Sequence, residues 1–146
     1  MTTVAYTAFL PEVMPAVSGC PEIMALNAIR NACVEFCSTT MYWQETRPAV
    51  TLGASSLPYT VTVLTDTNLI QIMSASISGQ PLGPTTLDEL DNRVYNWRSK
   101  TGKPQSYYQP NPNQLALYPI PDGTDTYDVV LRVSWTPTRA STTVID

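Results

Sequence analysis

Six acidic residues fall into two groups, Asp88, Glu89 and Asp91, then Asp122, Asp125 and Asp128. Carboxylates in pairs can share the work of a general acid and base when a fold brings them within reach of one substrate atom. The second group could instead offer hard oxygen ligands to a cation such as Ca²⁺. Each acid has a simpler reading. Thr86-Leu87-Asp88-Glu89 has the T-x-x-E form of a capping box, where carboxylates favour the positive end of a helix. Asp122 stands in a Pro-Asp-Gly turn, and the calcium-loop pattern of the EF-hand is absent. The chain has no histidine, which removes the commonest general base together with the usual triads and most zinc sites. Cys20, Cys33 and Cys37 are odd in number and lack C-x-x-C spacing, so no disulfide framework is expected; Cys33 and Cys37, four apart on one helix face, are expected as small buried residues in a reducing compartment. With no glycine-rich phosphate loop either, the expectation is no enzyme, no cofactor and no metal.

The stretch Arg93 to Tyr108 offers a different chemistry. It mixes Tyr95, Trp97, Tyr107 and Tyr108 with Arg93, Arg98, Lys100 and Lys103, which are four of the eight basic residues in the chain. Trp, Tyr and Arg supply most of the energy of protein interfaces, so Arg93, Trp97, Arg98, Tyr107 and Tyr108 are candidate interface residues. The same composition also describes core aromatics with polar ends at the rim beside a solvated turn. Bases stacking on Tyr107 and Tyr108 would be a third reading, but the net charge of -4 opposes it.

The elements that must position these residues change character along the chain. At 146 residues, 43% hydrophobic and 14% charged, the length suits one domain with a buried core. Thirteen prolines against six glycines point to a turn-rich, β-rich body. Residues 1–44 read as a helical segment of two helices. Phe9, Leu10, Val13, Met14 and Val17 make a short face limited by Pro15, and a longer helix runs from about Pro21 to about Thr40. Ile23, Leu26, Ile29, Cys33 and Phe36 step by threes and fours and are its expected packing face. From residue 45 to 137 the period becomes two, predicting an antiparallel β-sandwich of about five to six strands with one short helix at Thr86 to Asp91. Val50–Leu52 and Tyr59–Val63 look like a hairpin about Gly53–Ser56, a strand runs from Asn68 to Ser78 and stops at Gly79-Gln80-Pro81, and Gln114–Tyr118 and Tyr127–Trp135 complete the set. Residues 138–146 read as a loose polar tail. The whole is an α+β chain. The N-terminus lacks the basic and apolar regions of a signal peptide, and no apolar run is long enough to span a bilayer, so neither classical secretion nor a membrane is expected.

The order of these segments carries a resemblance. Phe9-Leu10, Gly19-Cys20-Pro21, Asn27-Ala28-Ile29-Arg30-Asn31-Ala32, Glu35-Phe36-Cys37 and Trp43 are similar to the opening of the head-to-tail adaptor proteins of short-tailed bacteriophages, the group related to tail tubular protein A. Ser78-Gly79-Gln80-Pro81-Leu82, Leu87-Asp88-Glu89-Leu90-Asp91, Trp97-Arg98, Thr101-Gly102-Lys103-Pro104, Tyr107-Tyr108 and Leu117-Tyr118-Pro119-Ile120-Pro121-Asp122 resemble phrases of its later half. The resemblance implies a structural virion protein at the head–tail junction, assembled in the host cytoplasm. Its expected partners are the portal protein, the tail nozzle protein and further copies of itself in a ring, commonly of twelve. DNA would pass through without being read, so no sequence-specific nucleic-acid binding and no membrane are implied. The alternative from another class is a receptor- or glycan-binding β-sandwich module of a phage tail, in which exposed Trp and Tyr stack on sugars. A third, enzymatic reading would place its chemistry on Asp88 or Asp91.

Overall fold

A computed structural model describes residues 3–139 and 143–145. In chain order its elements are β1 (Thr3–Ala5), α1 (Leu10–Val13), α2 (Glu22–Thr40), β2 (Gln44–Thr46), β3 (Val50–Gly53), β4 (Tyr59–Thr60), β5 (Thr67–Ile77), β6 (Gln80–Pro81), β7 (Gly83–Pro84), α3 (Leu87–Arg93), β8 (Ser106–Tyr108), β9 (Gln114–Tyr118), β10 (Thr126–Pro137) and β11 (Thr143–Ile145). This is an α+β fold with α1 and α2 near the N-terminus and the short α3 set among the strands. The chain divides into two compact units, one of residues 1–43, 64–68 and 135–146, the other of residues 44–63 and 69–134.

In the first unit, prolines break the opening helix into single turns. Pro11 enters α1 at its start and Pro15 opens a separate 3-10 turn, Met14–Ala16, because a proline brings no N–H to an existing helical ladder. The long helix α2 starts where Pro21, in extended backbone, accepts bonds from the N–H groups of Met24 and Ala25. It ends at Met41, whose left-handed backbone (φ 51) lets its N–H reach the Cys37 carbonyl. Tyr6, Ala25, Cys37, Trp43, Trp135 and Pro137 are buried apolar residues of this unit. Thr136 is buried as well, and its hydroxyl donates to the Val34 carbonyl. Part of the expected loose tail is corrected here, because Thr143–Ile145 pairs antiparallel with Thr3–Ala5. Three β-branched residues in a row fit a pleated strand, and β1 provides a partner edge that sequence reading had no reason to expect. Residues 140–142 and 146 of that tail lie outside the described residues.

The second unit holds two sheets. One has the order β2-β10-β5-β6, with β3 also paired to β10, and the other has the order β4-β9-β8-β7. The hairpin expected from Val50 to Val63 does not form. Val50–Gly53 pairs with β10, whereas Tyr59–Thr60 pairs with β9 in the other sheet. Between them Ala54–Ser56 winds into a 3-10 turn, tied by the Ser56 hydroxyl to both the N–H and the carbonyl of Gly53, and this sends the chain out of the first sheet. Gly53 has to be small, since a Cβ there would lie 3.2 Å from the Asp125 carbonyl oxygen. The long strand β5 ends at the turn Ser78-Gly79, both in left-handed backbone, and Ile77 pairs directly with Gln80. That two-residue hairpin places Gln80 and Pro81, expected in the turn, in β6. β7 and β8 run parallel, whereas β8–β9, β4–β9, β5–β6, β2–β10 and β3–β10 are antiparallel. On β10 the alternation holds through Val129, Leu131 and Val133, all buried, opposite exposed Asp128 and Arg132. At Ser134 it fails, because that residue is also buried, with its hydroxyl on the Gln71 carbonyl.

Candidate functional site

The N-cap half of the expected capping box forms in the structure. The Glu89 N–H donates to the Thr86 hydroxyl oxygen, opening α3, and the Glu89 carboxylate takes the Arg93 guanidinium at 2.6 Å and the Thr85 hydroxyl at 3.2 Å. Arg93 is therefore an exposed residue held along its own helix, four residues from its partner. Beyond α3 the chain makes a tight connection through Val94, Tyr95 and Asn96, with Asn96 in left-handed backbone (φ 55), and enters the 3-10 turn Trp97–Ser99.

Asp91 clamps both sides of that connection. Its carboxylate accepts the indole N–H of Trp97 at 2.6 Å and the Arg98 guanidinium at 2.7 and 3.3 Å. Those bonds, that from Arg98 first and that from Trp97 second, hold the Asp91 carboxyl below the usual carboxylate range. Arg98 also lies over the Trp97 ring, 4.5 Å from its centroid. Trp97 is only 5% exposed and meets Tyr108 and Tyr118 edge-on at 5.5 and 6.2 Å between centroids. Tyr107, the next residue along β8, points the other way. It is buried, and its phenol donates to the Met73 carbonyl at 3.3 Å. Burial pushes both phenols above the ordinary tyrosine value, an effect that Arg98 partly offsets at Tyr108.

Of the five expected interface residues, the structure thus gathers Trp97, Arg98 and Tyr108, sets Tyr107 on the opposite side of its strand, and leaves Arg93 on a separate ion pair. Trp97, Arg98 and Tyr108 wall a cleft of about 350 Å³ with Leu57, Pro58 and Ile120. The residue that sequence reasoning did not single out is Tyr95, which is 95% exposed on the clamped connection. The signal available for it was the neighbouring Asn96, a residue that accepts left-handed backbone and so permits an outward turn.

Three of the six acids have side-chain partners: Glu89 and Asp91 are held as described, and Asp128 accepts the Thr51 hydroxyl across the β3–β10 pair at 2.6 Å. Among the described residues no group of three or more Cys, Asp or Glu converges as a metal site would require. The three cysteines are free thiols, and burial pushes Cys33 and Cys37 up, which keeps them protonated. No helix among the described residues is long and apolar enough to cross a membrane.

The second surface lies on α2. Ala25 and Cys37 are its buried residues, and Leu26, Ile29 and Cys33 of the expected packing face are half-buried. Ile23 and Phe36, the two ends of that face, are exposed, as are Met24 and Tyr42. The helix thus turns inward along a narrower line than its apolar periodicity suggests, centred near Ala25, Ile29, Cys33 and Cys37.

Comparison with known protein families decides the assignment, because the sequence profile described as SU10 adaptor protein matches residues 9–146. The chain belongs to the SU10 adaptor protein family. No curated protein matches it. The match takes in both units, so the α2 surface and the Asp91 clamp are both parts of an adaptor. An SU10 adaptor is a structural component of a bacteriophage.

Proposed function

We propose that this adaptor assembles as a ring beneath the portal of the filled capsid and forms the platform on which the tail nozzle is built, with DNA passing through the ring. Membership of the adaptor family over residues 9–146 is the observation that carries the reading. The surface supports it: Ile23, Met24 and Phe36 of α2 and Tyr42 just past its end are left uncovered, a feature that in a building block marks a site for a protein neighbour. In this reading the stacked sheets of the second unit form a β-sandwich body, and Arg93, Arg98, Tyr108 and the projecting Tyr95 meet a neighbouring virion protein. The net charge of -4 suits a conduit, since repulsion from phosphates keeps DNA from adhering to its wall.

The test is co-sedimentation of the chain with the portal ring of its own source phage, followed by imaging. Stoichiometric, symmetric decoration of the portal is the expected result. Failure to bind the portal, together with specific retention on a glycan array, would move the assignment to a tail recognition module.

A further inference from the structure

In an α-helix each residue turns about 100° and rises 1.5 Å, so Ile23 and Phe36 stand about 140° apart around α2 and about 20 Å apart along it. They flank the inward line of Ala25, Ile29, Cys33 and Cys37 from opposite sides. Each has one large exposed companion. Met24 follows Ile23 near the start of the helix, and the Tyr42 ring lies 5.9 Å from that of Phe36 just past its end. Ile23 and Met24 are 64% and 61% exposed, and Phe36 and Tyr42 are 53% and 67% exposed. Between the two patches the outward surface is polar or small, with Asn27, Ala28, Asn31, Ala32 and Ser38 all exposed. The helix therefore carries two separate apolar patches on opposite flanks, one aliphatic with a thioether and one aromatic.

We propose that these patches are the two halves of one contact between copies of this chain, with Ile23 and Met24 of each copy seated on Phe36 and Tyr42 of the next. The inference rests on the ring reading above and names the surface that would close the ring. A closed ring needs head-to-tail contacts in which two different patches meet, because a patch that pairs with itself gives a two-fold dimer and stops. The two chemistries are suited to each other, since a flexible thioether packs favourably against aromatic rings. A single partner covering both patches would instead have to reach from Met24 to Phe36 across the polar face, about 120° around the helix and about 18 Å along it. Charge gives no alternative occupant a hold. Residues 1–43 carry Glu12, Glu22 and Glu35 against Arg30 alone, and Arg30 is already engaged by the Tyr6 ring at 5.6 Å and the Asn27 side chain at 3.4 Å. Two copies share that negative sign, so their contact is apolar and strengthens as salt screens the repulsion.

The contact is weak by construction. Large side chains bury 150–250 Å² each, so four of them little more than half exposed bring together on the order of 500 Å². Stable interfaces bury ~1,200–2,000 Å², so dilute chains stay separate, and concentration or a templating surface brings the patches together.

The experiment places the photo-cross-linker benzoylphenylalanine at Tyr42 and mixes isotopically labelled with unlabelled full-length chain at high concentration, so that links between copies are recognised by mass. The expected result is intermolecular links to the peptide containing Ile23 and Met24, with a yield that rises with salt and falls at least tenfold in Met24→Asp. Because Met24 is exposed, that substitution leaves the fold intact, which circular dichroism verifies. Links confined to other peptides, an absence of intermolecular links, or a yield indifferent to Met24→Asp each overturn the proposal. The same chain placed on the portal ring separates the two ideas. Symmetric decoration with links elsewhere keeps the ring and removes this contact. Links to Met24 without portal binding keep the contact and remove the adaptor ring.

Discussion

One carboxylate, Asp91, fixes a core tryptophan and a surface arginine at once. Replacing it with alanine frees the Trp97 indole N–H and the Arg98 guanidinium together. The expected outcome is a shifted Trp97 indole N–H resonance and faster proteolysis between Arg93 and Arg98, and an unchanged resonance would contradict the clamp. The pH dependence has a definite sign. The folded carboxyl titrates below its ordinary value near 3.9, so the clamp's stabilisation is fully present above that value and is lost as the pH falls through the depressed one. The Trp97 indole resonance should therefore hold steady down past the ordinary carboxylate range and move only in stronger acid. Movement centred at or above the ordinary value would show that the bonds to Trp97 and Arg98 do not form. The clamp was not legible in the sequence, where Asp91 appeared as one acid among three and as a candidate of the enzymatic reading. Its partners lie six and seven residues on, and only the reversal at Asn96 brings them back. The exposure of Tyr95 was hidden for the same reason, since composition places an aromatic residue in a core by default.

At the scale of elements, local chemistry read well and pairing did not. The N-cap at Thr86 and the strand at Gln114–Tyr118 stand where periodicity and spacing put them, because both are decided by residues within a few positions. Thr86→Ala should cost about 1 kcal/mol in urea denaturation through loss of the cap. The hairpin misread between Val50 and Val63 shows the limit. Alternation names a strand but not its neighbour, and here β3 and β4 pair with strands more than fifty residues away. The turn at Ser78-Gly79 is a second instance, since two left-handed residues suffice to reverse β5 into β6. With φ at 80, Gly79 is in left-handed backbone that strains a side chain, so Gly79→Ala should destabilise by about 1–2 kcal/mol. An unchanged urea midpoint in that variant would mean that the turn is not the one described.

For the whole molecule, the core and the open surfaces divide the labour. Trp135 is fully buried at the end of β10, and its backbone N–H donates to the Trp43 carbonyl. Trp135→Ala should cost about 3–5 kcal/mol, with loss of cooperative unfolding as its visible sign. By contrast Met24→Asp should leave the unfolding midpoint within about 0.5 kcal/mol while weakening association, because an exposed side chain contributes to the neighbour rather than to the fold. A variant that lost stability instead would place Met24 in the core and deny it to a partner. The α+β class and the adaptor resemblance were both legible from the order of segments, whereas which apolar residues stay outside was not. The periodicity of α2 is apolar around more of its circumference than the first unit covers. The most direct measurement of the central claim is a localised cryo-electron-microscopy reconstruction of the tail vertex of the source virion. The account predicts a ring of copies of this chain between portal and nozzle, surrounding DNA, with Ile23 and Met24 of one copy against Phe36 and Tyr42 of the next. Density for the chain at a fibre tip, or its absence from the vertex, would contradict it.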